Sequence, residues 1–157
     1  MSEITVRNHL KKYSMDNLII TMPSSTATVK EAADSLGCEE KEIAKTLSLK
    51  LSTGPILIVM AGDVKIDNAK YRNFFHEKAH MLSPEEVNDL IGHPIGGVCP
   101  FGVNDNVHIY LDNSLKRFTY VYPACGSTHN AIKISIPKLE EVTAHPTWID
   151  VTKSKEN

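Results

Sequence analysis

An uninterrupted apolar segment, PILIVMAG at residues 55–62, constrains the fold of this chain more than any other feature. It is too short for a typical helix and rich in branched side chains, which is typical of a strand buried on both faces. The preceding segment TLSLKL alternates Leu47, Leu49 and Leu51 with polar residues, as a half-buried strand does, and the turn STGP separates the two segments. These patterns predict a sheet with residues 55–62 at its centre.

Capping signals predict helices on either side of this pair of strands. Thr28 and Glu31 form a capping-box pattern, and a glycine nine residues after Thr28 gives a natural stop. The other predicted helices are NAKYRNFFH, capped by Asp67, and a helix that begins at Ser83-Pro84-Glu85-Glu86 and ends at Gly92. The segment EEKEIAKT predicts a further short helix, which would place Lys45 at a helix-to-strand junction.

The remaining patterns predict a mixed α/β fold in one domain, residues 1–157. Val6, Leu10 and Tyr13 are spaced as on an amphipathic helix, and LIITM is strand-like. Three further strands are predicted at VHIYLD, FTYVYPA and NAIKISI, followed by a closing helix at PKLEEVT. The residues from about 151 onward are predicted to form a frayed tail.

Composition excludes several classes of function. A net charge of -2 argues against a protein that wraps nucleic-acid backbone, so no DNA partner is expected. No apolar run approaches the roughly 18 residues that span a bilayer, and the N-terminal sequence lacks a secretory signal. We therefore expect a cytoplasmic protein without a membrane partner, whose three cysteines are reduced.

Two glycine-rich turns are candidate binding loops. The segment GHPIGGVCPFG, residues 92–102, contains four glycines and two prolines, and such a loop can present backbone amides to an oxyanion or a carboxylate. The second turn, PACGSTHN, places Ser127, Thr128 and His129 beside Gly126. The alternative for both segments is a plain connection between secondary-structure elements.

Cys99 also allows a different chemistry, that of a thiol hydrolase. His93 or His129 would act as its base and Asp112 would orient that base. The alternative is a buried, inert thiol. Cys125 and His129 lie four residues apart without a recognised ligand motif, so no metal site and no cofactor are predicted.

Lys45 is the remaining candidate, because it is a cation among apolar neighbours. Its alternative is an ordinary lysine at a solvated helix end, where the helix dipole favours it. The residues alone thus predict an α/β domain with a glycine-lined pocket.

Four segments, taken in order, resemble the YbaK/EbsC family of aminoacyl-tRNA deacylases. They are LGCEEKEIAKTLSL, ILIVMAGDVKID, IGHPIGGVCPFG and IYLDNSLKRFTYVYPACGS. The resemblance covers about residues 24–142, and the family is similar to the editing domain inserted in bacterial prolyl-tRNA synthetases. It implies a bent, mixed β-sheet, partly barrel-like, surrounded by helices.

The resemblance also implies a function, trans-editing. Such an enzyme hydrolyses the ester bond of a mischarged aminoacyl-tRNA, here a tRNA for proline or a related tRNA, with water as nucleophile positioned by the neighbouring ribose hydroxyl. Lys45 matches the family's catalytic lysine and would hold the terminal phosphate or polarise the ester. Backbone groups of the first loop would hold the aminoacyl group and stabilise the oxyanion. The substrate-binding residues implied are Gly96, Gly97, Val98, Cys99, Pro100, Gly126, Ser127, Thr128 and His129.

The resemblance leaves the amino acid open. Family members that act on alanyl-tRNA carry Asn after the lysine, where this chain has Thr46, and cysteinyl-type members carry an acidic residue near Asn130 or Ala131, which this chain lacks. Ala, Cys, Ser and Thr are all candidates. A synthetase or an elongation factor would deliver the mischarged tRNA. The alternative function is a non-catalytic module of the same fold that binds aminoacyl-RNA or a nucleotide.

Overall fold

The structure is a computed structural model that describes residues 2–155. Its longer helices and helical segments are α1 (Ser2–Lys11), α2 (Val29–Leu36), α3 (Asn68–Phe75), α4 (Pro84–Glu86, continued by a π-helical segment, Val87–Ile91) and α5 (Ile136–Val142). Short 3-10 turns lie at Asp16–Leu18, Glu40–Glu42 and Asn113–Arg117. No helix within this part of the chain is long and apolar enough to cross a membrane.

The strands form one mixed sheet and two small ribbons. They are β1 (Ile20–Thr21), β2 (Ile43–Leu51), β3 (Gly54–Ala61), β4 (Val64–Ile66), β5 (His108–Asp112), β6 (Tyr120–Pro123), β7 (Asn130–Ala131), β8 (Ile134–Ser135), β9 (Thr147–Ile149) and β10 (Thr152–Ser154). The sheet has the order β8-β6-β2-β3-β5-β9 and curls into a half-barrel, while β1 pairs with β7 and β4 with β10. The predicted fold class, a bent mixed sheet with helices around it, is confirmed.

Strand β3 lies in the middle of the sheet, as its apolar sequence predicts. It pairs antiparallel with β2 and parallel with β5. Leu57 and Val59 face one side and Ile58 and Met60 the other, and all four side chains are fully buried. Burial of each such side chain stabilises the fold by about 1.5–3 kcal/mol. Because both faces of β3 are covered, its sequence is continuously apolar instead of alternating.

The predicted helix starts are confirmed, with one difference in detail. The Thr28 hydroxyl accepts from the Glu31 amide, and α2 ends at Gly37 with φ of 72°. The Glu31 carboxylate does not return the bond of a capping box, because it accepts from the Ser25 hydroxyl instead. The caps of the two later helices follow the prediction, with Asp67 accepting from two amides and Ser83 forming a complete capping box with Glu86.

The predicted helix EEKEIAKT is wrong beyond its first residues. Only Glu40–Glu42 form a helical turn, stabilised by a capping box between Glu39 and Glu42. From Ile43 onward the chain is strand β2, because Ile43 and Ala44 pair with β6 on one side and Ala44 begins the ladder to β3 on the other. Lys45 is therefore a strand residue and does not lie at the end of a helix.

The C-terminal region is also more ordered than predicted. Strands β9 and β10 follow α5, so PKLEEVT does not close the fold, and β10 occupies the segment that the sequence assigned to a frayed tail from about residue 151. Val151 is fully buried, and its amide and the Thr152 hydroxyl both donate to the carboxylate of buried Asp112. Residues 156 and 157 of the predicted tail lie outside the described residues.

Two other strand predictions hold only in part. LIITM contributes just the two residues of β1, and NAIKISI is divided between β7 and β8. The division occurs because β7 pairs with β1, whereas β8 pairs with β6 at the edge of the main sheet. Helix α1 buries Val6 and Leu10 as predicted but ends at Lys11, before Tyr13.

Candidate functional site

A cavity opens along one edge of β2, where the strand lacks a neighbour. β6 pairs with β2 only at Ile43 and Ala44. Further along, the segment 80–82 bonds to the same edge through Ser48 and Lys50. Within the described residues, the stretch 45–47 between these contacts has no strand partner on that side. The missing pairing leaves a gap in which a ligand can reach the backbone of β2.

The cavity has a volume of about 280 Å³ and a mostly small, apolar lining. Its walls come from the segment before α2, the first half of β2, the first glycine loop and the ends of β6 and β7. The lining residues are Thr26, Ala27, Thr28, Val29, Ala32, Ile43, Ala44, Lys45, Thr46, Leu47, Ser48, Met81, Ile95, Gly96, Val98, Tyr122, Ala124, Asn130 and Ala131. No carboxylate, imidazole or thiol belongs to this set.

Lys45 is the cation of the cavity. Its ammonium donates to the carbonyl of Val64 in β4, so the side chain crosses from β2 to the neighbouring ribbon and is half-buried. Burial, and then the nearby ammonium of Lys155, lower the pKa of Lys45 to about 8, against 10.5 for an ordinary lysine. The group is still mainly protonated at pH 7, but less firmly than a surface lysine.

Thr46 presents unpaired polar groups to the cavity. Ser48 and Lys50 direct their backbone groups away from β3, and because this direction alternates along an antiparallel strand, Thr46 does the same. Its hydroxyl oxygen is buried and has no partner in the described part of the chain. A buried hydroxyl without a partner costs about 1–3 kcal/mol, a cost that a ligand would remove if it reached this oxygen.

The first glycine loop contributes two of its predicted residues directly to the cavity. Gly96, with φ of 87°, and Val98 line it. Gly97 lies behind them, where its amide donates to Pro94 and its carbonyl accepts from Gly126. The Val98 amide has no acceptor within residues 2–155 and is adjacent to the cavity wall. Cys99 and Pro100 are buried and do not line the cavity.

Cys99 lies inside the protein core and is not exposed at all. Its sulfur lies 3.5 Å from Nε2 of His93, and that nitrogen also lies 2.7 Å from the Phe101 carbonyl. Burial raises the pKa of the Cys99 thiol to about 12, which disfavours the thiolate that a nucleophile requires. Asp112 binds the start of β10 and makes no bond to either histidine. Cys99 and His93, the pair that a thiol hydrolase would need, are therefore in contact but buried where a substrate cannot reach them.

The second glycine turn supports the first loop more than it lines the cavity. A Cβ on Gly97 would lie 2.7 Å from the Ser127 nitrogen, so the two turns are in direct backbone contact. The Ser127 hydroxyl accepts from the His129 amide, and the Thr128 carbonyl accepts from the Thr26 amide. Gly126, Ser127, Thr128 and His129 thus lie next to the cavity wall without forming it.

Buried Asn130 is the residue that fixes this second turn. Its side chain accepts from the Cys125 amide and donates to the Cys125 carbonyl, at 3.1 Å each. Its backbone carbonyl accepts from Thr26, which joins the turn to the segment before α2. Cys125 and His129 do not form a metal site, since no group of three or more ligand side chains occurs among the described residues.

Sequence reasoning missed one wall of the cavity. Residues 26–29, Thr46 and Tyr122 line it although none was predicted to bind substrate. The capping pattern at Thr28 was the available signal, because a helix N-terminus carries unpaired amides and a partial positive charge. That end of α2 faces the cavity opposite Lys45.

The chain is similar in sequence and in fold to several known proteins. The profile of the aminoacyl-tRNA editing domain matches residues 23–142. YwhH of Bacillus subtilis (strain 168), described as an uncharacterized protein, is 47% identical over 99% of this chain and 100% of its own length. The proline--tRNA ligase of Thermosipho melanesiensis is 32% identical over 79% of this chain, which spans 22% of that ligase. A solved structure described as "a putative trans-editing enzyme for prolyl tRNA synthetase" superposes with a TM-score of 0.86, at 29% identity and 98% coverage of both chains.

Proposed function

The chain belongs to the aminoacyl-tRNA editing domain family, and from this premise we propose that it is a cytoplasmic deacylase of mischarged aminoacyl-tRNA. The observation that carries the proposal is the open edge of β2, where a lysine, an unpartnered hydroxyl and a glycine loop surround one small cavity. The products would be free amino acid and tRNA. The similarity to prolyl-tRNA synthetases, which the sequence resemblance predicted and the relatives confirm, favours a tRNA for proline as the substrate.

Lys45 is the group proposed to hold the charged part of the substrate. Lys45 lines the cavity and its ammonium is tethered to the Val64 carbonyl of β4, from where it can contact the phosphate of the terminal nucleotide or the ester oxygen. A lysine acts there as a compact point charge. Its partial burial strengthens that interaction because less water screens it.

The developing oxyanion needs hydrogen-bond donors at a fixed position. The Val98 amide and the N-terminal end of α2 at Thr28 and Val29 are the available backbone donors on two walls of the cavity. Attack of water on the ester carbonyl gives a tetrahedral intermediate, and cleavage of its bond to the ribose oxygen releases the amino acid. The ribose oxygen takes up the proton that the water loses.

The attacking water has no side-chain base in this cavity, because none of the lining residues is a carboxylate, an imidazole or a thiol. The neighbouring ribose hydroxyl of the substrate is the proposed group that positions the water. This assignment limits the substrate to RNA, since DNA lacks that hydroxyl.

The lining supports small amino acids as substrates. Five alanines surround the cavity, and the Thr46 hydroxyl adds one unpartnered polar group. Ala, Cys, Ser and Thr satisfy these limits of size, and a hydrogen bond to Thr46 would favour a substrate with a polar group near it. Synthetases need a second site for such errors because a missing methylene or a near-isostere changes binding by only about 1–3 kcal/mol.

The test is release of amino acid from tRNA charged separately with Ala, Cys, Ser, Thr and Pro. The wild type would be compared with Lys45→Ala and with Lys50→Ala, which removes an exposed lysine of the same strand that is paired with Glu86. Release from one or more substrates, lost in Lys45→Ala and retained in Lys50→Ala, would support the proposal. Unchanged release in Lys45→Ala would remove the role of Lys45, and no release by the wild type would contradict a deacylase.

A binding module is the second candidate, and the absence of a side-chain base from the lining residues favours it. Such a module would bind aminoacyl-RNA or a nucleotide through the same lysine without turnover. Saturable binding of charged tRNA with no release of amino acid would identify it.

A further inference from the structure

Strands β4 and β10 form a basic ribbon next to the cavity, and we propose that this ribbon binds the sugar–phosphate backbone of the RNA that enters it. The ribbon is defined by residues 63–66 and 152–155. The proposal rests on the proposed function, since it assumes that the cavity receives the 3′ end of a tRNA.

The register of the ribbon places its lysines on one face. Lys65 and Lys153 are directly opposite each other, and Lys155 follows two residues later on the same face. The Lys155 amide donates to the Asp63 carbonyl, which extends the pairing by one residue pair beyond β10. The alternate residues, Val64 and Thr152, point into the protein and are buried.

No carboxylate within residues 2–155 forms a salt bridge with any of the three lysines. All three are exposed. Like charges directly opposite each other in a ribbon destabilise the pairing. By the same alternation Asp63 belongs to this face, but its salt bridge is with Arg117 and not with a lysine of the ribbon, so an external anion can fill the role of counter-ion.

The nearby acidic residues are already engaged. Asp63 pairs with Arg117 through two bonds of 3.0 and 2.6 Å, and this pairing lowers the pKa of its carboxyl group. Asp67 caps α3, although it also lies within electrostatic range of Lys153. Asp150 pairs with Lys70. The face therefore keeps a positive charge after these acids are counted.

The ribbon is continuous with the catalytic cavity. Lys45, which lines the cavity, donates to the Val64 carbonyl of β4, and the Lys155 ammonium is close enough to lower the pKa of Lys45. A nucleotide held at Lys45 must connect to the preceding phosphates of its strand. Lys155 is close to Lys45, and Lys153 lies about 7 Å further along the same strand direction, which is a spacing that successive phosphates of a strand could follow.

Lys155 and Lys153 lie outside the segment that matches the editing-domain profile, which ends at residue 142. Two of the three inferred contacts therefore come from the C-terminal part of this chain, whereas Lys65 lies within the matched segment. Its ligand is a polyanionic backbone, read without regard to base sequence, because lysine contacts to phosphate position a nucleic acid but do not specify its bases.

The test compares a variant that combines Lys65→Gln, Lys153→Gln and Lys155→Gln with a matched control that combines Lys11→Gln, Lys12→Gln and Lys138→Gln. The control removes the same charge from lysines near α1 and α5, which do not line the cavity. Affinity for uncharged tRNA would be measured over a range of NaCl concentrations. Deacylation would be measured with charged tRNA and with aminoacyl-adenosine, an ester without a phosphate backbone.

Loss of three phosphate contacts should reduce the slope of log affinity against log salt by about 2, at roughly 0.7 per contact with a single strand. The ratio of kcat/KM for charged tRNA to kcat/KM for aminoacyl-adenosine should fall about tenfold or more in the ribbon variant and stay unchanged in the control. A salt slope and a ratio equal to those of the wild type would overturn the ribbon and leave the deacylase intact. Ribbon-dependent tRNA binding by a wild type that releases no amino acid would overturn the deacylase and leave the ribbon intact.

Discussion

The carbonyl of Gly97 accepts a hydrogen bond of 3.1 Å from the amide of Gly126, which joins the two glycine turns at their backbones. Nothing larger than hydrogen fits between them, since a Cβ on Gly97 would meet three backbone atoms of Gly126 and Ser127 within 3 Å. The position of Gly96 and Val98 in the cavity wall therefore depends on this contact.

Gly97→Ala should separate the two turns and reduce deacylation strongly. The overpacking should also lower the free energy of unfolding by about 1–3 kcal/mol. Gly37→Ala is the control, because its Cβ would contact nothing while its φ of 72° still strains an alanine, at a cost of about 1–2 kcal/mol. Assays at a temperature where both variants are folded should show loss of activity only in Gly97→Ala; equal activities would mean that the contact between the turns does not position the site.

Lys45 should titrate with a pKa of about 8, well below the 10.5 of an ordinary lysine. NMR of the lysine side-chain CH₂ groups next to the ammonium would measure the pKa of Lys45. Lys155→Gln should raise this pKa, because the positive charge of Lys155 is one of the causes that lower it. Between about pH 8 and 10.5 the unfolded chain binds more protons at this position than the folded protein does. The free energy of unfolding should therefore increase as the pH rises through that window. Deacylation that requires the ammonium should decline above about pH 8. A Lys45 midpoint near 10.5 would contradict the burial described here.

Thr46→Val should stabilise the free protein while weakening its action on substrate. The substitution keeps the shape and removes a buried hydroxyl that has no described partner, which should raise the free energy of unfolding by about 1 kcal/mol. For a chain of this size that corresponds to an increase in Tm of about 2–4 °C. Thr46→Ser keeps the hydroxyl and serves as the control. If Thr46→Val raises Tm without changing KM or kcat, the hydroxyl does not contact the substrate.

Cys99 should resist alkylation and be dispensable for chemistry. In the native protein an alkylating reagent should modify Cys38, which is partly exposed, and spare the buried Cys99 and Cys125. Burial raises the pKa of both buried thiols, which slows their reaction further. Mass spectrometry should show at most one modification in the native protein and three in denaturant. Cys99→Ala should retain deacylation, and its complete loss in a folded variant would restore the thiol-hydrolase alternative.

Local patterns predicted the elements that are defined by local interactions. The caps at Thr28, Asp67 and Ser83 depend on residues within one turn. The continuous apolar sequence of β3 is likewise sufficient to predict that this strand is buried on both faces. Strands β4, β9 and β10 have three residues each and carry no such pattern. They are strands because partners distant in sequence pair with them, which a local reading cannot detect.

The residues of the candidate site also divide into those that the sequence indicated and those that depend on contacts between distant parts of the chain. The glycine loop and Lys45 were candidates from the residues alone, the family resemblance assigned their roles, and Gly96 and Val98 do line the cavity. Thr46 was noted only as a departure from the family, because its importance comes from the missing pairing along β2. Thr26 was missed as a lining residue because its bond to Asn130 connects positions 104 residues apart.

The ribbon of β4 and β10 also has a consequence for the rate of folding. Lys70 contacts Thr152, 82 residues later, and His9 contacts Val142, 133 residues later, so the fold is completed by contacts of long sequence separation. Proteins of this kind fold slowly, in milliseconds to seconds, because distant segments must meet before their contacts stabilise them. During synthesis, Lys45 would lie beside an unpaired β4 until β10 has left the ribosome. The environment of Lys45 should therefore form in the last stage of folding.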